Sequence, residues 1–501
     1  MRKKLARRLQ VQVCALALGG WVLIASASPD LGQEIKRVEA EIDQTFADTL
    51  KKAATIPNGP VLRMQQIQIL GKLMLFDKHF SVNRNTACTF CHMPYAGFTG
   101  PISALNATTA SYPGSVRDAA ATLAHSRYGH RKPQSYMYAP YYPVLHYNQS
   151  QQDFYGGNFW DLRATGGKLQ NPSAEQAQGP PLDSNEHGLI DSACVVYRLS
   201  QRPYRKLFET VWGQQAFAIQ WPADVEKVCR VPGPPTPKDP LPVHLSPEDR
   251  GRSNSTYDQF GMAIANYEAA PEVSPFTSKF DKALANPDKQ ILNKIERAGW
   301  NLFHGKAKCN TCHLDGTESR LGAIAPGEAA SVAPLFTDFT SSNLGVPKNL
   351  ALPYYLENKP DPFGFTINPA GLSFVDKGVG DFLRSPDNPN ADWTQFAGKF
   401  DGKFQVSTLR NVDMRPNPGF VKAYMHNGYL KSLKEVVHFY NTRDKLPRCQ
   451  PGTPGEKVTC WPSPEVAANE NKVIGNFGLT DSEEDQIVAF LKTLTDGYFK
   501  L

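Results

Sequence analysis

The pentapeptide Cys-x-x-Cys-His occurs twice, as Cys88-Thr89-Phe90-Cys91-His92 and as Cys309-Asn310-Thr311-Cys312-His313. This spacing is the attachment signature of c-type haem. Each thiol adds across a haem vinyl group, and two intervening residues match the separation of the vinyls. The adjacent histidine is then placed to bind the iron. Zinc asks for four ligands, usually two such pairs close in sequence, whereas these pairs lie more than two hundred residues apart and each carries its own histidine. A thioredoxin-like dithiol needs no histidine after its second cysteine. Two covalently bound haem c groups are expected, with His92 and His313 as iron ligands.

The first 27 residues read as a secretory signal peptide. Arg2, Lys3, Lys4, Arg7 and Arg8 form a basic start, Val11 to Ile24 is apolar, and Ala25-Ser26-Ala27 is a small-residue cleavage site. The apolar run is too short for a comfortable membrane span, and no other segment qualifies, so no membrane span is expected after cleavage. The formal charge of +6 loses five leader cations, leaving about +1, which gives no reason to expect a nucleic-acid partner. A periplasmic location follows.

Of nine cysteines, Cys14 lies in the leader and four sit in the haem motifs. Cys194, Cys229, Cys449 and Cys460 remain, and in an oxidising compartment they are expected to form two disulfides. Three pairings exist; short loops favour Cys194–Cys229 with Cys449–Cys460. Four buried free thiols are the alternative.

A length of 501 residues fits two or three domains. A weak internal repeat sets their number. Ile69-Leu70-Gly71-Lys72-Leu73-Met74-Leu75-Phe76 precedes the first motif, and Arg297-Ala298-Gly299-Trp300-Asn301-Leu302-Phe303 precedes the second. Each reads as a helix leading into a haem loop. The fold class expected is mainly α: two cytochrome c-like haem domains, 28–274 and 275–501, with long irregular loops. Tyr257, Phe260, Ile264 and Tyr267 mark one further helix face. A final helix starts at Thr480, with Glu483 completing a capping box and Ile487, Phe490, Leu491 and Leu494 as its apolar stripe. Proline-rich 231–247 reads as a surface loop, and 320–400 as extended excursions with little regular structure.

Several blocks beyond the haem motifs resemble the bacterial dihaem cytochrome c peroxidase superfamily, which includes the MauG-type enzymes. They are Leu70-Gly71-Lys72 to Phe76-Asp77, Gly97-Phe98-Thr99, Phe159-Trp160-Asp161-Leu162-Arg163-Ala164 against the family's Phe-Trp-Asp-Gly-Arg-Ala, Glu175 to Pro180, Thr408 to Val412, and Tyr424-Met425-His426-Asn427-Gly428. The resemblance spans roughly 65 to 495 and is more specific for the superfamily than for a reaction within it.

What the resemblance implies can be stated residue by residue. Glu186 is the proton-shuttling carboxylate over the N-terminal haem, a task that suits a carboxylate during uneven O–O cleavage, and Gln176 is its hydrogen-bonding neighbour. From the residues alone, Glu186 would be a solvated loop acid. Trp160 lies between the haems and assists electron transfer; packing under a haem would also explain it. Fourteen residues after His426, where the peroxidases carry a methionine ligand, this chain has Tyr440. That resembles the MauG branch, whose second haem is His-Tyr ligated, and phenolate stabilises ferric iron. Tyr440 could equally be an ordinary helix aromatic, with Met414 and Met425 as other ligand candidates.

Three departures limit the transfer. His125 and His130 lie where the peroxidases carry a resting ligand of the N-terminal haem, but neither aligns cleanly against Arg131. Lys132 stands where the family's calcium site has an asparagine, so an ammonium could replace that ion and calcium is doubtful. Ala307 stands where the MauG branch has a tryptophan, and the nearby Trp300 does not match. His79, His146, His187, His244, His304 and His438 read as surface or hydrogen-bonded groups, and His426 as support for the haem environment.

The function expected is that of a periplasmic dihaem peroxidase reducing hydrogen peroxide, with electrons from a small c-type cytochrome, a cupredoxin or an organic donor. The alternatives are a MauG-like oxidase that modifies a partner protein through a bis-ferryl state, and a non-enzymatic dihaem electron carrier.

Overall fold

The computed structural model describes residues 29–56, 62–116, 126–287, 289–316 and 334–500. The expected leader and His125 lie outside the described residues. The helices that carry the site are α1 (Arg63–Leu75), α2 (Pro172–Gln178), α3 (Pro247–Glu268), α4 (Lys294–His304), α5 (Leu433–Thr442) and α6 (Asp481–Lys492). Strands are short. His146–Asn148 pairs antiparallel with Asp153–Tyr155, and Ser341–Ser342 with Phe404–Gln405.

Local chemistry fixes the helix starts. Ser246 caps α3 by accepting the Asp249 amide, and Asn293 and Thr480 open α4 and α6 with reciprocal capping boxes closed by Glu296 and Glu483. Each haem-leading helix then crosses a later helix through a glycine. A Cβ on Gly71 of α1 would lie 2.1 Å from the Ala263 carbonyl oxygen of α3, and a Cβ on Gly299 of α4 would lie 1.9 Å from that of Gln486 on α6. Only hydrogen at these positions allows backbones to approach so closely. Leu70 and Met74 then seal α1 against Phe260 and Ile264, and Phe303 seals α4 against Phe490 and Ile487.

Two buried clusters follow the two halves of the chain, one from Ile35 to Val273 and one from Phe280 to Leu494. A third crosses between them: Leu145, Phe154 and Leu162 pack with Val379, Phe382, Leu383 and Phe400. Part of the 320–400 stretch is therefore more ordered than its composition suggests. Val379–Arg384 is helical and Ala391–Phe400 forms 3₁₀ turns, because their apolar residues close this third cluster. The 231–246 segment has neither helix nor strand, although Val243 is buried and its amide donates to Asp191.

Cys194 is joined to Cys229 and Cys449 to Cys460, with Cα separations of 5.4 and 5.8 Å. Cys88, Cys91, Cys309 and Cys312 form no disulfide and are half-buried. No helix among the described residues is long and apolar enough to cross a membrane.

Gly299→Ala is expected to cost about 1–3 kcal/mol through overpacking, seen as a lower urea midpoint. Gly251→Ala on exposed α3 backbone, where a Cβ meets nothing within 4 Å, should instead gain about 0.5–1 kcal/mol.

Candidate haem-binding and peroxide site

One continuous cavity of about 430 Å³ is lined by both Cys-x-x-Cys-His motifs. In each motif a single 3₁₀ turn, Cys88–Phe90 or Cys309–Thr311, brings the second cysteine and the histidine back over the first cysteine. The Cys91 amide donates to the Cys88 carbonyl at 3.1 Å, and the His313 amide to the Cys309 carbonyl at 3.0 Å.

The two histidines are held in the same way. His92 Nδ1 donates to the Phe98 carbonyl at 3.0 Å, and His313 Nδ1 to the Phe336 carbonyl at 2.9 Å. Both acceptors belong to non-glycine residues in the left-handed region, Phe98 at φ 51° and Phe336 at φ 55°. That conformation costs on the order of 1–3 kcal/mol and aims each carbonyl at its imidazole. Burial pushes both imidazoles down to about 4 against the pull of those carbonyls. Each ring is thus neutral with Nε2 unprotonated, the form that ligates a metal. Two immobilised imidazoles and four thiols outside any disulfide around one cavity, in a chain whose other described cysteines are disulfide-bonded, fit haem as the occupant.

On the N-terminal side, Gln176 at the end of α2 and Glu186 line the cavity with His92. Gly114 pins the Glu186 loop, since a Cβ there would lie 2.1 Å from the Asn185 carbonyl oxygen, and the Ser115 amide donates to the Glu186 carbonyl at 2.6 Å. The Glu186 side chain is accessible, but the space it faces is this interior cavity. Burial, reinforced by Asp183 and opposed by Arg163, lifts its carboxyl to about 8. It is therefore poised to exchange a proton near neutrality.

The block 159–164 folds as a strained turn. Phe159 and Leu162 both have positive φ, 69° and 66°. The family pattern has glycine where Leu162 stands, and Leu162 is fully buried in the third cluster. Burying a leucine side chain stabilises by about 1.5–3 kcal/mol, enough to offset a left-handed residue at roughly 1–2 kcal/mol. The turn sets Trp160 in the cavity wall with its Nε1–H donating to the Lys132 carbonyl at 3.2 Å. Asp161 accepts from Arg131 and Arg163, which outweigh its burial and hold its carboxyl down at about 2.

Arg131 also forks onto Asp376, at 2.7 and 2.8 Å, joining the two halves of the chain. His130 lies 3.4 Å from the same Asp376 and packs against Tyr354 and Phe374 while lining the cavity. The Lys132 ammonium donates to the Pro133 carbonyl at 3.0 Å, and burial pushes it down to about 8. Lys422 lies close by, donating to the Ala96 and Met414 carbonyls at 2.9 and 2.7 Å, and burial pushes it to about 7. Among the described residues no group of three or more His, Cys, Asp or Glu side chains could hold a metal ion.

On the C-terminal side, Tyr440 of α5 lines the cavity with Cys309, Cys312 and His313, and burial raises its phenol above the ordinary range. Met425 lines the same cavity. Met414 packs instead against the first cluster. His426 stacks on Phe404 with ring centroids 3.5 Å apart, and its Nε2 is buried without a partner. His187, expected as an ordinary polar group, lines the cavity and engages the Phe80 carbonyl through Nδ1 at 3.0 Å. The other histidines make conventional contacts, including His79 with Asp77 and His438 with Glu484.

Sequence reasoning missed Glu268 and Lys422. Glu268 lines the cavity, is 1% exposed, and burial lifts its carboxyl well above the usual range. An acid continuing the apolar spacing Phe260, Ile264 was a legible signal; Lys422 carried none.

Residues 65–289 match the family described as di-haem cytochrome c peroxidase. Over that region the chain is similar to this superfamily. It is 28% identical over 439 residues to the methylamine utilization protein MauG of Paracoccus denitrificans, covering 85% of this chain and 88% of the relative. It is 25% identical over 429 residues to a cytochrome-c peroxidase of Denitromonas iodatirespirans, covering 85% and 80%. The diheme peroxidase BthA of Burkholderia thailandensis has the same fold, with a TM-score of 0.58, 23% identity, and coverage of 88% of this chain and 87% of that one. These relatives are oxidoreductases, so the chain is an enzyme of that kind, and the match to a di-haem family implies two haem groups.

Arg131→Leu is expected to leave the buried Asp376 without its guanidinium and Asp161 with Arg163 alone, and to destabilise by about 3–5 kcal/mol. Arg131→Lys should recover only part, because an ammonium cannot fork. Urea unfolding of both variants measures the difference.

Proposed function

We propose that the chain is a periplasmic dihaem c-type peroxidase that reduces hydrogen peroxide to water. Its haem domains are 28–274 and 275–501, behind a cleaved leader at 1–27. The observation that carries the reading is Glu186: a carboxyl lifted to about 8 in the cavity that His92 also lines.

Cys88, Cys91 and His92 would hold one haem, and Cys309, Cys312 and His313 the other. When bound, haem iron would supply an open position for peroxide and the redox chemistry of its reduction. Glu186, as carboxylate, removes the proton from the near peroxide oxygen and returns it to the far one, so that the leaving oxygen departs as water. Gln176 orients the peroxide beside it. Trp160, fixed through its N–H to the Lys132 carbonyl, lines the cavity that both motifs share and serves to couple the two haems. Two electrons and two protons complete the reduction to two waters. The Lys132 ammonium stands in for a divalent cation near Trp160. The electron donor is a small cytochrome or cupredoxin.

Tyr440 favours a second reading. A phenol in the C-terminal part of the cavity, at the position where the peroxidases carry methionine, suits a His-Tyr site and a MauG-like oxidase acting on a protein substrate. Steady turnover of peroxide with a reduced cytochrome supports the peroxidase. Negligible turnover together with covalent change of a protein substrate supports the oxidase. A resting protein with only low-spin ferric iron and no reaction with peroxide would leave an electron carrier.

Glu186→Gln is expected to slow reaction with peroxide by about 10²–10⁴-fold with haem content unchanged. Because the carboxylate is the active form, the wild-type rate should rise with pH through about 8, and the variant should lose that limb. Stopped-flow mixing across pH reads both. Replacing Cys309 and Cys312 by alanine should halve the haem retained after acid-acetone extraction.

A further inference from the structure

Trp300 lies on α4, ahead of the second motif, and is only half-buried. Its indole Nε1–H donates to Asp315 Oδ2 at 2.7 Å, and His304 Nε2 lies 2.5 Å from the same oxygen. Asp315 is fully buried, two residues beyond His313. Inward from the indole, ring contacts continue. Trp300 meets Phe280 edge-on with centroids 5.3 Å apart, and Phe280 meets Phe336 at 5.3 Å. The Phe336 carbonyl is the group that accepts the His313 Nδ1–H. A packed path of aromatic rings and hydrogen bonds thus joins a half-exposed indole to the histidine of the C-terminal motif.

The outer face of this path is basic. Arg297, Trp300 and His304 stand three and four residues apart, on one face of α4. Lys294, Arg297 and Lys308 are exposed and form no ion pair among the described residues. Two acids beside this face are already engaged, Glu296 of α4 with Lys279 and Glu483 of α6 with Lys306, both at 2.7 Å. The field at this surface therefore favours an approaching negative face.

We infer that Trp300 is the electron-transfer contact of the C-terminal haem site, and that the Lys294–Arg297–Lys308 rim docks a small redox protein with an acidic surface around its own centre. This rests on the peroxidase reading. In each transfer the indole gives one electron inward to the oxidised haem group at His313 and regains one from the reduced donor. Two transfers and two protons convert one hydrogen peroxide to two waters. The indole proton stays in its hydrogen bond to Asp315.

The test uses the haem-loaded full chain and two reduced probes, an acidic cupredoxin and a basic cytochrome c. Surface plasmon resonance without peroxide reads docking. The acidic probe should bind more tightly than the basic one, and added salt should weaken it as charges are screened beyond about 8 Å. Arg297→Glu with Lys308→Glu should weaken the acidic probe by about tenfold or more, a shift of at least about 1.4 kcal/mol. Stopped-flow with peroxide reads transfer. Trp300→Phe should keep the affinity and the peroxide-driven Soret change, yet oxidise the bound probe about tenfold more slowly; Trp300→Tyr should recover part of the rate. Unchanged affinity on charge reversal, or wild-type probe oxidation by Trp300→Phe, overturns the inference. A wild-type chain with no Soret response to peroxide would instead count against the peroxidase reading, while the docking result still decides the surface.

Discussion

An imidazole beside a cysteine pair serves as a haem ligand only if its ring is held still and its proton is kept on the far nitrogen. Here one hydrogen bond does both, twice. His92 to Phe98 and His313 to Phe336 use the same atom pair, and each acceptor residue is bent into a backbone region that phenylalanine seldom adopts. The glycine crossings at Gly71 and Gly299 repeat in the same order ahead of each motif. The internal repeat is thus a repeat of a ligand-aiming device, and the surrounding helices keep its strain from relaxing.

Charge organises the space between the two devices. Arg131 ties Asp161 to Asp376 across the halves, and its fork leaves neither carboxylate stranded. Lys132 and Lys422 are different, because they are solvated by backbone carbonyls. Two buried lysine amines without acid partners form a basic region beside the cavity, suited to the anionic propionates that a haem carries, which would favour their charged form. The same region faces Trp160, since the Lys132 ammonium lies 5.5 Å from the indole ring. A nearby cation opposes removal of an electron from that ring, which favours Trp160 as a bridge over Trp160 as a resting place for the hole.

What the sequence makes legible is local. The haem motifs, the capping boxes at Asn293 and Thr480 and the apolar stripe of α6 are short-range patterns whose chemistry is complete within a dozen residues. The four cysteines outside the motifs also join as the short loops favour. The positions of Glu186, Gln176 and Trp160 around one cavity came through resemblance, since nothing in a Pro-rich loop marks an acid as interior. The Phe98 and Phe336 carbonyls were invisible, because backbone direction at a phenylalanine leaves no trace in composition. The Arg131–Asp376 fork spans 245 residues, and a single sequence holds no sign of such a pairing. The short helix Val379–Arg384 was hidden by the glycine and proline around it, and only its partners at Leu145 and Phe154 reveal why it forms.

The cavity wall is drawn from both ends of the chain, from Leu75 to Leu491. A polypeptide that closed before loading would bring orphaned polar atoms such as His426 Nε2 and Glu268 Oε2, together with two lysine amines that lack acid partners, into an empty interior. Cofactor capture and compaction are then two aspects of one equilibrium, and the free energy of cofactor binding becomes part of the free energy of folding.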